Sequence, residues 1–230
     1  MYGVIAMQSQ SVGGAYVPVD AAALAYMDFV SGTYELSGAA AVLTDLLSGI
    51  DGADIDASGL AVRSGNASRP TATAGLMAIL TPLLTDGFTI LFEIQASATS
   101  MEMPGVSFWN DPVQADATEA LLLNIYPTAS DYGSVSIGGT YTRTLPGVNK
   151  VGFTVGRPLG GGSYRTAISC NGTGSSNTDD VAYTQASTIT PFSRADFGFA
   201  EFYPYSTDDY FRKIIIYPVM DETALAALTA

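Results

Sequence analysis

The sequence predicts an all-β fold, a two-sheet sandwich closed by a short helix. Short apolar or alternating runs recur between turn signals from residue 26 onward. The stretch "FTILFEIQ" is almost continuously apolar, the pattern of a strand at the centre of a sheet. The chain closes on "DYFRKIIIYPVMDETALAALTA", a strand and a proline followed by a helix too short to stand alone.

Residues 1–25 are rich in Ala, Gly and Val without a clear period, and read as an extended arm that needs a partner surface to be ordered. The expected strands are then "ADIDASGLAV", "GFTILFEIQA", "GVSFW", "ALLLNIY", "YGSVSIG", "VNKVGFTVG", "SYRTAISC", "DVAYTQ", "DFGFAEFY" and "DYFRKIIIYP". Asn171-Gly172 and "PLGGGS" can each supply the positive φ of a reversal. "GRPLGGGSY" lacks the Gly-Lys-Ser/Thr ending of a phosphate cradle and lies between strands, so it reads as a hairpin loop. "AAVLTDLLSG" and "GLMAILTPLL" each offer no more than a helical turn. "DETALAALTA" is helical: Asp221 caps it, Glu222 suits its positive end, and Leu225 and Leu228 share the face that must dock.

In the strand before that helix, strict alternation puts Arg212, Ile214 and Ile216 on one face. Phe211, Lys213, Ile215 and Tyr217 fall on the other. Each face then carries one charge at the strand's beginning, its stem lying over apolar surface. Pro218 ends the strand. One domain, 26–230, follows the arm.

Composition excludes several functions. Hydrophobic residues make up 47% of the 230 and charged residues 13%, which argues against disorder. No apolar run approaches a bilayer span, so no membrane partner is expected. Net charge is −13 with no basic cluster, which excludes a nucleic-acid partner. "MYGVIAMQSQ" has neither a basic region nor a cleavage site, so no secretory signal is read, and the sequons at Asn66 and Asn171 mean only loops. There is no histidine and a single cysteine, Cys170. Zinc sites of the usual kind, the Ser-His-Asp triad and a histidine-activated thiol are removed together. Cys170 reads as a buried thiol at a strand end.

The ending "FRKIIIYPVMDETALAALTA", with "DFVSGTYEL" and "DIDASGLAV", resembles concanavalin A-like, laminin G-like jelly rolls, in particular those of tailed-phage structural proteins. The resemblance spans residues 26–230. It implies a two-sheet antiparallel jelly-roll sandwich with a short C-terminal helix, displayed on a virion surface as a head decoration, spike or fibre component. It also implies a homo-oligomer, a trimer by analogy, whose arm meets other virion proteins. Some members bind glycans.

Glycanases of this fold carry a Glu-x-Asp-x-x-Glu strand whose carboxylates act as nucleophile and acid. Glu93 in "LFEIQAS" has Gln95 two residues on and no later acid, and Glu201 in "FAEFYPY" fares no better. Both read as charges at a sheet face or rim, and the chain is expected not to be an enzyme. "DIDASG" aligns Asp54, Asp56 and Ser58 with the first half of a calcium loop, but position 65 is glycine where a bidentate glutamate is needed. A solvated hairpin turn outweighs calcium there, calcium at Asp179-Asp180 or Asp208-Asp209 stays open without support, and no cofactor is otherwise expected.

For glycans, "SFWNDP" offers Trp109, Asn110 and Asp111, and "FYPYSTDDY" offers Tyr203, Tyr205, Asp208 and Tyr210. The bland reading is that Trp109 caps the core edge while Asn-Asp-Pro turns the chain. The thirteen tyrosines also suit subunit interfaces. The leading expectation is a virion structural protein anchored by its arm. The alternative is a glycan-binding adhesin for host-surface carbohydrate, and a hydrolase or lyase of the same fold ranks third.

Overall fold

The computed structural model of the chain describes residues 16–62, 70–96, 103–109, 120–125, 135–136, 147–158, 163–182, 194–198 and 209–230. A hairpin of β1 (Ala25–Asp28) and β2 (Thr33–Leu36) leads through β3 (Ala39–Ala40), the single turn α1 (Leu43–Leu46) and β4 (Leu47–Ser48) to a second hairpin, β5 (Ile55–Asp56) and β6 (Gly59–Val62). Next come β7 (Thr71–Ala72), α2 (Ala74–Asp86), β8 (Phe88–Ala96) and β9 (Met103–Trp109). The chain continues through β10 (Ala120–Ile125), β11 (Val135–Ser136), β12 (Gly147–Pro158), β13 (Ser163–Cys170) and β14 (Thr173–Ala182). It ends with β15 (Arg194–Gly198), β16 (Asp209–Pro218) and α3 (Glu222–Thr229).

Among the described residues, ten strands form the larger sheet, in the order β14-β13-β12-β8-β16-β1-β2-β3, with β6 pairing β16 and β5 pairing β6. Six form the smaller sheet, in the order β11-β10-β9-β15-β7-β4. The long pairings are antiparallel, and β10 with β11 is parallel. The two sheets face each other across one core that takes Phe92, Ile94, Phe153, Ile214 and Ile216 from the larger and Val106, Phe108, Ala195 and Phe197 from the smaller. Phe88 meets Phe108 edge-on across the gap, centroids 5.6 Å apart. As the apolar run of "FTILFEIQ" implies, β8 is central, between β12 and β16.

Three features differ from the expected elements. "GLMAILTPLL" belongs to a thirteen-residue helix, α2, which Thr73 caps by accepting from the Leu76 amide and Gly87 stops at φ +93°. Leu76 and Leu80, one turn apart, are fully buried in the core, and that burial holds the helix despite Pro82 inside it. The strand expected at "DVAYTQ" begins earlier, at Thr173, directly after a tight turn with φ +48° at Asn171 and +76° at Gly172. Its sequence "TGSSNTDDVA" is mostly polar, as suits a strand that is outermost in the sheet among the described residues.

The third difference lies in β16. Against β8, Phe211 pairs with Ile94 and Lys213 with Glu93, so Arg212 is an extra residue, a β-bulge. Alternation breaks there. Phe211 joins Ile214 and Ile216 in the core, while Arg212 and Lys213 both reach Glu93 on the outer face. Gly59 makes room for the bulge: a Cβ there would lie 2.3 Å from the Phe211 carbonyl oxygen.

The outer face of the larger sheet is covered at one end. Residues Ala23, Met220 and Leu228 pack over Tyr26, Leu91, Ile215 and Tyr217. Asp221 caps α3 by accepting from the Ala224 amide, as the sequence predicts. Gly152 lets α3 approach, since a Cβ there would meet Leu225 at 2.6 Å, and Thr229 bonds Ser169 at 2.7 Å. The described part of the arm is held by side chains: Tyr217 donates to Asp20 at 2.8 Å, and Glu35 accepts from the Tyr16 hydroxyl and the Val19 amide.

Two predictions follow from these contacts. Gly59→Ala should destabilise the protein by about 1–3 kcal/mol or more, from its φ of +125° and the carbonyl clash. Gly32→Ala, at φ +68° with nothing within 4 Å, should cost less. Equal shifts in urea midpoint would refute the close-approach role. Tyr26 is pushed up to about 12 by burial, then by the charge and hydrogen bond of Asp28. Tyr217 is likewise raised, by burial first and then by its bond to Asp20. Both phenols therefore ionise more readily in the unfolded chain, so their contribution is complete below about pH 10 and is lost as pH rises through 12. Denaturation midpoints measured between pH 8 and 12 should fall over that window, and less steeply in Tyr26→Phe.

Candidate functional site: the outer face of the smaller sheet

Strands β9 and β15 pair with Trp109 opposite Arg194, Phe108 opposite Ala195, Ser107 opposite Asp196 and Val106 opposite Phe197. Val106, Phe108, Ala195 and Phe197 are buried in the core, so the pleat assigns Arg194 and Asp196 to the other face. Thr71 of β7 pairs with Asp196 from the far side. Trp109 and Asp196 are thus diagonal neighbours, about 7–8 Å apart in Cα positions.

Asp196 is the centre of this row. Its Oδ1 accepts from Arg194 Nε at 2.7 Å and from Thr71 Oγ1 at 2.8 Å. Its Oδ2 is buried and has no hydrogen-bond partner among the described residues. A buried acceptor left without a donor costs about 1–3 kcal/mol, and native structures keep such groups for a reason. Arg194 is 23% exposed, so the row reaches solvent beside a carboxylate that is 4% exposed.

The other acids contrast with it. Asp28, Lys213 and Glu93 stand directly opposite one another on β1, β16 and β8. Lys213 Nζ lies 3.7 Å from Asp28 and 3.7 Å from Glu93, and Arg212 Nε lies 3.0 Å from Glu93. In this ladder each carboxylate meets a cation, which suits the expected reading of Glu93 as a sheet-face charge. Asp54 and Asp56 serve their own hairpin: Asp54 accepts from the Asp51 amide at 3.2 Å and Asp56 from the Ser58 amide at 2.6 Å. Among the described residues no cluster of three acidic or thiol ligands could hold a metal ion. Cys170 ends β13, and burial raises its thiol pKa.

Of the expected glycan residues, Trp109 is the last position of β9, in register with Arg194. Asn110, Asp111, Glu201, Tyr203, Tyr205 and Asp208 lie outside the described residues, and Tyr210 sits in β16 on the other sheet. Arg194 and Asp196 were missed. The signal was present in "RADFG", where two charges alternate with two apolar residues and so share one face of a half-buried strand.

No protein-family model matches the sequence, and no curated protein matches it. Solved structures do. The chain is similar to Trypanosoma rangeli sialidase in complex with 2,3-difluorosialic acid, a covalent intermediate, with TM-score 0.51 and 11% identity over 94% of this chain and 34% of that one. It is similar to the same sialidase in complex with sialic acid, with TM-score 0.50 and 10% identity over 93% and 33%. Domain 4 of an extracellular arabinanase from Geobacillus stearothermophilus, in complex with arabinotriose, matches with TM-score 0.44 and 11% identity over 90% and 98%, too low to add to the fold assignment. The chain spans about a third of the length of the sialidases it matches.

This finding overturns the expectation that the chain is not an enzyme, because the solved structures that share its fold over about a third of their length are sialidases. The exclusion rested on a missing carboxylate pair along one strand. That premise does not suffice, because some glycosidases use a tyrosine nucleophile instead.

Thr71→Val removes one of the two donors to Asp196 and should cost about 1.5–3 kcal/mol, the scale of a hydrogen bond to a charged group. In an Asp196→Ala background the same change should cost much less. Additive losses in chemical denaturation would remove the Thr71–Asp196 bond from the account.

Proposed function

We propose that the chain is a carbohydrate-binding β-sandwich of the jelly-roll, concanavalin A-like kind that holds sugar on the outer face of its smaller sheet. One observation carries the reading: a buried carboxylate oxygen without a donor among the described residues lies diagonally across the strands from the single tryptophan. Sugars bring what this arrangement lacks. Their hydroxyls donate to carboxylates, and their C–H faces stack on aromatic rings. Few, well-placed polar groups beside an aromatic are the usual make-up of a small-ligand site. Double-sheet jelly rolls serve as lectin domains, and the sialidases of similar fold are seen with sialic acid or a difluoro analogue. That second support is an analogy of fold. The virion role expected from the resemblance has no such support, and the glycan-binding alternative replaces it.

The test is a titration with a glycan panel, read by calorimetry and by Trp109 emission, which reports on the site because it is the only tryptophan. Saturable binding is expected, weakened about tenfold or more by Trp109→Ala and by Asp196→Asn, the scale of one charge-assisted contact. Full affinity in both variants, with the fold intact by circular dichroism, would move the site elsewhere.

A further inference from the structure

We infer, resting on the glycan-binding reading, that the Asp196 site takes neutral sugars through their hydroxyls and discriminates against acidic ones. The argument starts from what remains open on the carboxylate. Each carboxylate oxygen has about two lone-pair sites. Those of Oδ1 are filled by Arg194 Nε and Thr71 Oγ1, so the whole open capacity lies on Oδ2. A ligand must therefore bring a proton to that oxygen. A hydroxyl does so, and one sugar ring can present two.

A sugar carboxylate brings no proton. It would place a second anion against Oδ2 at a site shielded from water, where charge repulsion is strong. The guanidinium of Arg194 offsets this only in part, because its Nε is engaged by Asp196 at 2.7 Å and its charge is already set against that carboxylate. For the same reason an amino sugar gains no net attraction from Asp196. At longer range the chain's net charge of −13 repels anions further, an effect that salt screens.

The experiment uses the full chain and matched oligosaccharide pairs that differ only by a terminal sialic acid, such as lactose and sialyllactose, arrayed and then titrated by calorimetry. The neutral member of a bound pair should bind about tenfold or more tightly than its sialylated form. Its affinity should be unchanged between 50 and 500 mM salt, a range chosen to collapse the Debye length. Asp196→Asn should narrow the discrimination. The side-chain oxygen stays with Arg194 and Thr71, which are donors, so the new amide nitrogen stands where Oδ2 was and offers N–H to either ligand.

Preference for the sialylated member, or discrimination unaltered by Asp196→Asn, overturns the inference while leaving glycan binding intact. Absence of binding to every pair overturns the glycan-binding reading itself. The variant's circular dichroism and a still-cooperative thermal transition, at a lowered midpoint, separate lost recognition from lost fold.

Discussion

When β16 enters the larger sheet between β1 and β8, it bonds the first strand of the described sheet to the strand at its centre. Both of its faces then fill at once. Phe211, Ile214 and Ile216 go to the common core, and Ile215 and Tyr217 go under the cover of Ala23, Met220 and Leu228. These contacts join residues far apart in sequence, whose loop-closure entropy must be met before the pairing returns anything. The hairpin of β1 and β2 has only a short further neighbour, β3, on its other side. Without β16 that hairpin would lose its pairing partner, and Leu228 of α3 would lose Ile215 and Tyr217 beneath it.

The bulge at Arg212 follows from the same insertion. A regular β16 would put either Phe211 or the pair Ile214 and Ile216 into the core, but not all three. The extra residue resolves that conflict by letting the chain change phase once, and Gly59 of β6 leaves space for the carbonyl this displaces. A second consequence is electrostatic. Two cations meet Glu93 on one face, and Lys213 also meets Asp28. Such half-exposed pairs contribute little stability each, about 0–1 kcal/mol. Their effect is to give Asp28 and Glu93 each a cation on the outer face of the larger sheet.

Much of this architecture was legible in the sequence because it rests on local signals. The apolar run of β8, the Asn171-Gly172 reversal, the stop at Pro218 and the cap at Asp221 are each written in a few adjacent residues. What was not legible depends on partners. The phase change at Arg212 is decided by β6 and β8, and α2 forms across a proline because the sandwich buries Leu76 and Leu80. β14 is polar up to Asp180 and gains its strand conformation from β13. The site was half legible for the same reason. Trp109 is conspicuous as the only tryptophan, whereas Asp196 becomes notable only when Arg194 and Thr71 both claim one oxygen and leave the other.

That asymmetry between the sheets is what favours the smaller one as the proposed site. A fold shared with sialidases at 10–11% identity identifies a scaffold and says nothing about which face of it works. Both outer faces carry charged residues, so charge alone does not decide either. The difference lies in completeness. The Asp28–Lys213–Glu93 ladder supplies a cation to each acid, so a ligand there must displace an existing partner before it gains one. At Asp196 the cost of an unpaired oxygen is already present in the free protein. A ligand that brings a hydroxyl therefore recovers the desolvation penalty the fold carries, and binding there is favoured by relief as well as by contact.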